Sequence, residues 1–340
     1  MGSRHKNSGV RCGNNCFREE ELLAANRLNV YYRYFIGLSL LIGAPFFFLG
    51  GPGYYASRSF QAAWDLGHIL FFLLLSLWLH GRLREKLATS SPFTFFFAIF
   101  SFVFFAGFLV EILQMFHSHR SPDMEDVLRN QLGCLLAFAF FIRPGLVGET
   151  RIQRLFRAGV VALLVVAIWP LSWSLIDEYR AARQFPLLSD FETPFERSRW
   201  VNVDQLREET EKVRHGHKSV RVQLSTNKYS GISLFHFPRD WRGYRTLHWS
   251  VYNPQEAGLV LSSRINDIHH RKHDMEFSDR YNQQFILEKG WNDLVIPLEK
   301  VKTAPKGRAM DMENIEGFGL FVVQQPRSQV IYLDHVYLAQ

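Results

Sequence analysis

Long, almost uninterrupted apolar runs are what most limits how this 340-residue chain can fold. A helix needs roughly 20 mostly apolar residues to cross a bilayer. Five segments meet or approach that requirement: about Tyr34–Leu49, Leu66–Leu79, Phe95–Phe116, Val127–Ile142 and Ala158–Ile176. The second and fourth are short and polar at one end, and such helices are comfortable only among neighbours. A mean hydropathy of −0.07 conceals all of this. The apolar runs end near residue 180, and polar sequence with alternating strands follows.

The split predicts a polar tail over residues 1–30, a polytopic helical membrane bundle of about five spans over 31–180, and a separate domain over 185–340. Basic residues cluster in the tail (Arg4, Lys6, Arg11, Arg18, Arg27, Arg33) and in alternate connections (Arg82, Arg84 and Lys86; Arg143, Arg151, Arg154 and Arg157). Short loops rich in Lys and Arg stay on the cytoplasmic side. The expectation is therefore a cytoplasmic N-terminus, with Arg58, Arg120 and everything after the last span on the other side. The tail does not read as a cleaved signal peptide. The net charge of +7 is partly loop arginine. No Lys/Arg stripe interleaved with aromatics is present, so nucleic acid is not an expected partner. Three cysteines are too few for a disulfide framework.

One polar stretch interrupts the bundle: "EILQMFHSHRSPDMEDVLRNQLG", Glu111 to Gly133. Glu111 and Gln114 share a helical face, as do Asp123, Asp126 and Asn130. Pro122 and the acids that follow suit a helix N-terminus. Asp65 and His68 open the second apolar helix on the same side. Three helix ends thus bring Asp65, His68, Glu111, Gln114, Arg120, Asp123, Asp126 and Asn130 to one level. An ionised group at the bilayer centre costs about 2.5–3.5 kcal/mol, so these groups must pair, face a wet cavity or sit near the interface. The plain reading is a hydrogen-bonded plug, with Arg120 neutralising Asp123 or Asp126 and Gly133 permitting close helix approach. The sharper one is a site for a lipid head group, with His68 as acid or base and Arg120 on a phosphate or carboxylate. His68, Glu111 and Asp126 are also an adequate donor set for a divalent ion.

The ordered set Asp65-x-x-His68, Glu111-x-x-Gln114, Arg120-x-x-Asp123-x-x-Asp126-x-x-x-Asn130-x-x-Gly133 resembles the VanZ-like membrane domain over roughly residues 30–145. That family is named for a protein associated with low-level resistance to teicoplanin, a glycopeptide antibiotic. The resemblance implies a bacterial cell-envelope setting in the inner membrane, with a periplasmic or extracytoplasmic C-terminal domain.

From about Leu187 the pattern has period two: "SVRVQLS", "GISLFHF", "TLHWSVY", "GLVLSSR", "QQFILE", "DLVIPL", "GFGLFVV" and "QVIYLDHVYL". These read as strands, and eight or so in this length favour an antiparallel β-sandwich. "DQLREETEKV" reads as a helical turn or surface loop. "DFETPFERSRW", "GWNDLVIPL" and "IYLDHVYL" resemble strands of galactose-binding-like jelly-roll modules found in carbohydrate-binding proteins. That resemblance implies an all-β jelly roll, with Glu192 and Asp334 at positions that hold a structural calcium ion; no other cofactor is expected. Candidate sugar contacts are Trp241, Tyr244, Tyr281 and Trp291, with Arg264, Asp267 and His270 as polar partners, although most sandwich aromatics are core.

The expected function is binding or sensing of an envelope glycan or glycolipid through the sandwich and the polar cluster, with membrane lipids and membrane proteins as further partners. The alternatives are a membrane enzyme acting on a lipid-linked substrate by acid-base or metal-assisted chemistry, and a bundle that only anchors the sandwich. No nucleotide motif or secured nucleophile supports the enzyme reading.

Overall fold

The computed structural model describes residues 30–53, 55–84, 91–118, 123–142, 150–202 and 205–340. By internal contacts the chain forms two compact units. One comprises residues 1–53 and 60–170, the other 54–59 and 171–340.

The first unit is helical. Helix α1 (Val30–Phe47) ends in a 3-10 turn over Ala44–Phe47, where Pro45 interrupts regular hydrogen bonding. It is followed by α2 (Arg58–Leu83), α3 (Pro92–Ser118), α4 (Met124–Leu136) and α5 (Arg151–Gln184). Among the described residues four helices, α1, α2, α3 and α5, are long and apolar enough to cross a membrane. The expected span at Val127–Ile142 differs. It lies in α4, which has 13 α-helical residues and closes in a π-helical turn over Ala137–Phe141. The physical reason is polarity: Glu125, Asp126, Arg129, Asn130 and Gln131 occupy the first half of α4. The long helices expose large apolar side chains such as Phe97, Phe105, Val166 and Trp169, as a lipid-facing surface requires. Helix α4 instead buries most of its surface, including Val127, Asn130, Leu132, Cys134 and Leu136.

That enclosure rests on Gly133. A Cβ there would lie 2.4 Å from the Ile69 carbonyl oxygen and 2.8 Å from the Leu73 nitrogen, both backbone atoms of α2. Only a bare Cα lets α4 approach so closely. On the α3 side, Gly107 leaves room for the Asn130 side chain, whose Nδ2 would be 2.5 Å from a Cβ at 107.

The second unit contains eleven strands in two antiparallel sheets. They are β1 (Leu187–Ser189), β2 (Trp200–Val201), β3 (Leu206–Glu209), β4 (Ser219–Leu224), β5 (Tyr229–Leu234), β6 (Thr246–Asn253), β7 (Leu259–Asp267), β8 (Tyr281–Leu287), β9 (Gly290–Pro297), β10 (Ile315–Val323) and β11 (Gln329–Ala339). One sheet runs β3-β4-β11-β6-β9, with β1 also on β11; the other runs β2-β5-β10-β7-β8. From β4 onward the chain crosses from sheet to sheet at nearly every step, only β7 and β8 being consecutive in one sheet. This interleaving is the jelly-roll order. The expected strands are all present. "DQLREETEKV" contributes strand β3 rather than a helical turn, because Leu206 is drawn into the core and its backbone pairs with β4. The expected opening strand is largely a turn: β1 and β2 are short and flank a 3-10 helix over Glu196–Arg199. Inward-facing side chains from both sheets, with Trp200, Trp241, Trp249 and Phe318, form one core.

A buried ion cluster completes this unit. Asp177, fully buried on α5, accepts from Arg199 Nε at 3.0 Å and Nη2 at 2.8 Å and also pairs with Arg58. Arg199 donates further to the Leu188 carbonyl at 2.9 Å. Beside it, Ser59 donates from its backbone and hydroxyl to Glu178 at 3.0 and 2.6 Å. Nearby, burial and the Arg58 and Arg239 charges push the His236 imidazole down to about 4.

Three expectations follow. Gly133→Ala lowers the thermal midpoint of the detergent-solubilised protein, by about 1–3 kcal/mol from overpacking. Gly67→Ala, where nothing lies within 4 Å, leaves it unchanged or raises it slightly. Asp177→Ala strands two guanidinium groups and costs about 3–5 kcal/mol, read from denaturant or thermal melts. The third concerns pH. His236 takes up a proton near 6.5 when unfolded but near 4 when folded, so its neutral form stabilises the fold at neutral pH and that contribution is lost as pH falls from 6.5 towards 4. Wild type should therefore lose about 1–2 kcal/mol relative to His236→Gln between pH 7 and pH 4.5, after allowing for partial exposure.

Candidate functional site

The helical unit gathers one polar cluster. Asp123 caps α4, its Oδ1 accepting from the Glu125 N–H at 2.8 Å. The Asp123 N–H donates to Glu111 Oε2 at 2.9 Å, which joins the end of α3 to the start of α4. One turn into α4, Asp126 faces His68 of α2, with Oδ2 and Nε2 3.6 Å apart. One turn further, Asn130 Oδ1 lies 3.0 Å from His68 Nδ1. His68, Glu111 and Asp126 offer ligand atoms that all lie within 4.8 Å of one another, and all three side chains are buried. Gln114 points elsewhere, donating to the Phe47 carbonyl at 2.8 Å and so holding α3 to the end of α1.

Six of the eight residues expected at this level therefore meet, Gln114 is close by in a different role, and Arg120 lies outside the described residues. The guanidinium found in the cluster is that of Arg129, absent from the expected set. Its Nη1 lies 2.5 Å from Asp126 Oδ1, and its Nη2 lies 2.8 Å from Glu125 and 3.9 Å from Asp65. The signal was present in the sequence as Glu125-x-x-x-Arg129 and Asp126-x-x-Arg129, spacings that put acid and base on one helical face.

The candidate sugar residues of the sandwich do not form one site. Trp241 and Tyr281 are core side chains, 0% and 5% exposed, with no ring face to offer. Tyr244 packs on the core against Phe185. Asp267 and His270 are buried in an ion cluster around Arg308, which reaches Asp267 at 2.5 and 2.9 Å and Asp279 at 2.6 and 2.8 Å. Burial opposes ionisation of Asp267, but Arg308 and the Asp311 amide outweigh it and hold the carboxyl below its usual range. Arg264 lies across the face of the other sheet, close over Gly319. Trp291 alone sits on the open face of the β3-β4-β11-β6-β9 sheet, edge-on to Tyr252. Glu192 and Asp334, the candidate calcium ligands, each accept two backbone N–H groups of the β3–β4 loop. Glu192 takes those of His217 and Lys218 at 2.6 and 2.8 Å, Asp334 those of Arg214 and His215 at 2.7 and 2.9 Å. They hold this loop in place, and among the described residues neither belongs to a group of three metal-ligating side chains.

The loop held by Asp334 walls a cleft of about 320 Å³ on that open face, lined by Arg214, His215, His248, Ser250, Asp293, His335 and Tyr337. Sheet register builds it: Tyr337 pairs with His248, and Ser250 lies between Asp334 and Asp293. Tyr337 stacks on His248 at 4.9 Å and on His335 at 4.4 Å, and His335 stacks on His215 at 4.1 Å. Arg214 and Ser250 hold Asp293 at 2.6 and 2.7 Å and depress its carboxyl below the usual range. Burial, with His215 and His248 close by, pushes the His335 imidazole down. Burial lowers the His248 imidazole as well. Of these histidines only His248 has an outward parity that simple alternation on β6 reveals; on β11 a bulge between Asp334 and Tyr337, with His335 at a φ of +52°, breaks the alternation, and His215 lies in a loop.

Residues 26–147 match the family described as VanZ/LLP1, and the whole polar cluster lies inside that segment. The chain thus joins a segment similar to that family, with helices long and apolar enough to cross a membrane, to an all-β jelly roll. No curated protein matches it in sequence. Among solved structures, the chain is similar to the family 11 carbohydrate-binding module from Clostridium thermocellum in complex with a β-1,3-1,4-mixed-linked tetrasaccharide, at 14% identity and a TM-score of 0.33, covering 45% of this chain and 94% of that one. It is also similar to the family 30 carbohydrate-binding module of a Clostridium thermocellum cellulosomal cellulase, at 13% identity and a TM-score of 0.33, covering 40% and 83%.

Proposed function

We propose that this membrane protein captures a glycan, free or as the sugar portion of a glycolipid, in the cleft on the open face of the β3-β4-β11-β6-β9 sheet. The observation that carries the reading is the juxtaposition of stacked rings, Tyr337, His335 and His248, with the Arg214–Asp293 pair and Ser250 in one cleft. A sugar ring has an apolar C–H face and an edge of hydroxyls. The aromatic faces supply rigid contact area for the first, and the carboxylate, guanidinium and hydroxyl supply acceptors and donors for the second. The neighbouring rings of Tyr332, Tyr252 and Trp291 continue the surface along the next register row and lengthen it for more than one sugar unit. The same reading counts α4 with its π-helical turn as a fifth, enclosed crossing, which sets the basic N-terminal tail in the cytoplasm and the sandwich on the outer side of a bacterial inner membrane, where envelope glycans and their lipid carriers are found.

Two measurements test it. The full chain, purified in detergent, should bind members of a bacterial envelope glycan panel. Tyr337→Ala should weaken that binding by at least about tenfold, the equivalent of some 1.4 kcal/mol. Folded full-length protein that binds no glycan, or binding indifferent to Tyr337→Ala and Asp293→Asn, would discard the cleft. Protease added to intact spheroplasts should remove the sandwich, and protection of the sandwich there would reverse the orientation.

A further inference from the structure

We propose that His68, Glu111 and Asp126 form a binding site for one divalent transition-metal ion, of the zinc or manganese kind, within the helical unit. The site is separate from the sandwich cleft.

The argument starts from which atoms are already engaged. Asn130 Oδ1 can only accept, so the 3.0 Å contact with His68 Nδ1 puts the ring proton on Nδ1. His68 Nε2 is then the ring nitrogen that Asn130 leaves unengaged. It faces Asp126 Oδ2 at 3.6 Å, too far for a hydrogen bond. Two buried ligand atoms thus face each other across a gap that a cation can fill.

Glu111 repeats the pattern. Its Oε2 accepts the Asp123 N–H at 2.9 Å, while Oε1 is buried without a hydrogen-bond partner and the side chain is 3% exposed. On Asp126, Oδ1 is taken by Arg129, and Oδ2 is the atom turned towards His68. Each of the three side chains is thus oriented through one atom by an outer partner, Asn130, the Asp123 amide or Arg129. Outer-shell hydrogen bonds of this kind fix metal ligands in place.

Charge and geometry agree with a cation. Five carboxylates, Asp65, Glu111, Asp123, Glu125 and Asp126, belong to this cluster, and among the described residues its guanidinium, Arg129, pairs with three of them, Asp65, Glu125 and Asp126. Donor atoms within 4.8 Å of one another can converge on an ion with bonds of about 2.0–2.2 Å. One imidazole with two carboxylates suits zinc, manganese or ferrous iron; it lacks the thiolates that select copper(I). Three protein donors leave coordination positions for water or for an anionic oxygen.

The test uses the full chain in detergent, stripped with a chelator, equilibrated with zinc or manganese and passed through a desalting column. Elemental analysis should find about one ion per chain, and the same ion should raise the thermal midpoint in a concentration-dependent way. Glu111→Gln and His68→Ala should abolish retention. Asn130→Ala, which touches no ion, should weaken affinity by about 10- to 100-fold through loss of ring orientation. If a variant does not fold, the wild-type titration decides alone. Stripped, folded wild-type protein that neither retains these ions nor shifts its melting with them overturns the site; a proton shared by His68 and Asp126 would then hold the cluster together. Retention equal in wild type and folded variants also overturns it.

Discussion

The helical unit depends on one contact between two backbones. Where α4 crosses α2, Gly133 lies against the Ile69 carbonyl and the Leu73 nitrogen, so no side chain separates the helices. The contact falls one turn from Asn130 and two from Asp126, and it draws both side chains onto His68. A wider crossing would leave His68 facing lipid with no partner. The polar groups are tolerable in an apolar setting because close approach lets each find another, and that geometry also leaves lone pairs turned inwards. Packing and chemistry in this unit are therefore one problem.

In the sandwich the division is cleaner. The inward residues of both sheets make an ordinary apolar core, and the charged residues buried at its ends serve mainly to hold loops. Glu196 takes the amides of Asp190 and Phe191, each at 2.7 Å, and Arg308 ties together Asp267 and Asp279. Such groups are buried because they satisfy backbone and partner. That role accounts for Asp267, a candidate sugar partner in the sequence, whose carboxylate is taken by Arg308 and by the Asp311 amide. The cleft uses what remains on the outward face, where polar and aromatic side chains need no internal partner.

Alternation with period two made the eight main strands legible, because half-buried strands write their burial into sequence. The apolar runs did the same for the long helices. Helix α4 is the least legible of the expected spans, because its first half is polar and its apolar second half is buried within the helical unit rather than exposed like the long helices. The membrane cluster was legible because three- and four-residue spacings place side chains on one helical face. Arg129 was overlooked although the same rule covers it. The sugar candidates scattered because a Trp or Tyr in a turn, such as Trp241 or Tyr244, has no parity from which to read its direction. Asp177 lies beyond any local pattern. Its partners, Arg58 and Arg199, come from distant parts of the chain, and only the folded topology joins them.

That last cluster bears on how the protein is made. Residues 54–59 leave the ribosome long before the sandwich, yet Arg58, Tyr55 and Ser59 belong to the sandwich's own compact unit. The nascent sandwich cannot finish its ion cluster alone. It must wait for a segment that is already committed to the membrane, and a fragment begun at β1 would carry Arg199 without its counter-ion. Folding of the C-terminal domain and insertion of the first two helices are thus steps of a single assembly, and quality control that monitors one would detect failure of the other.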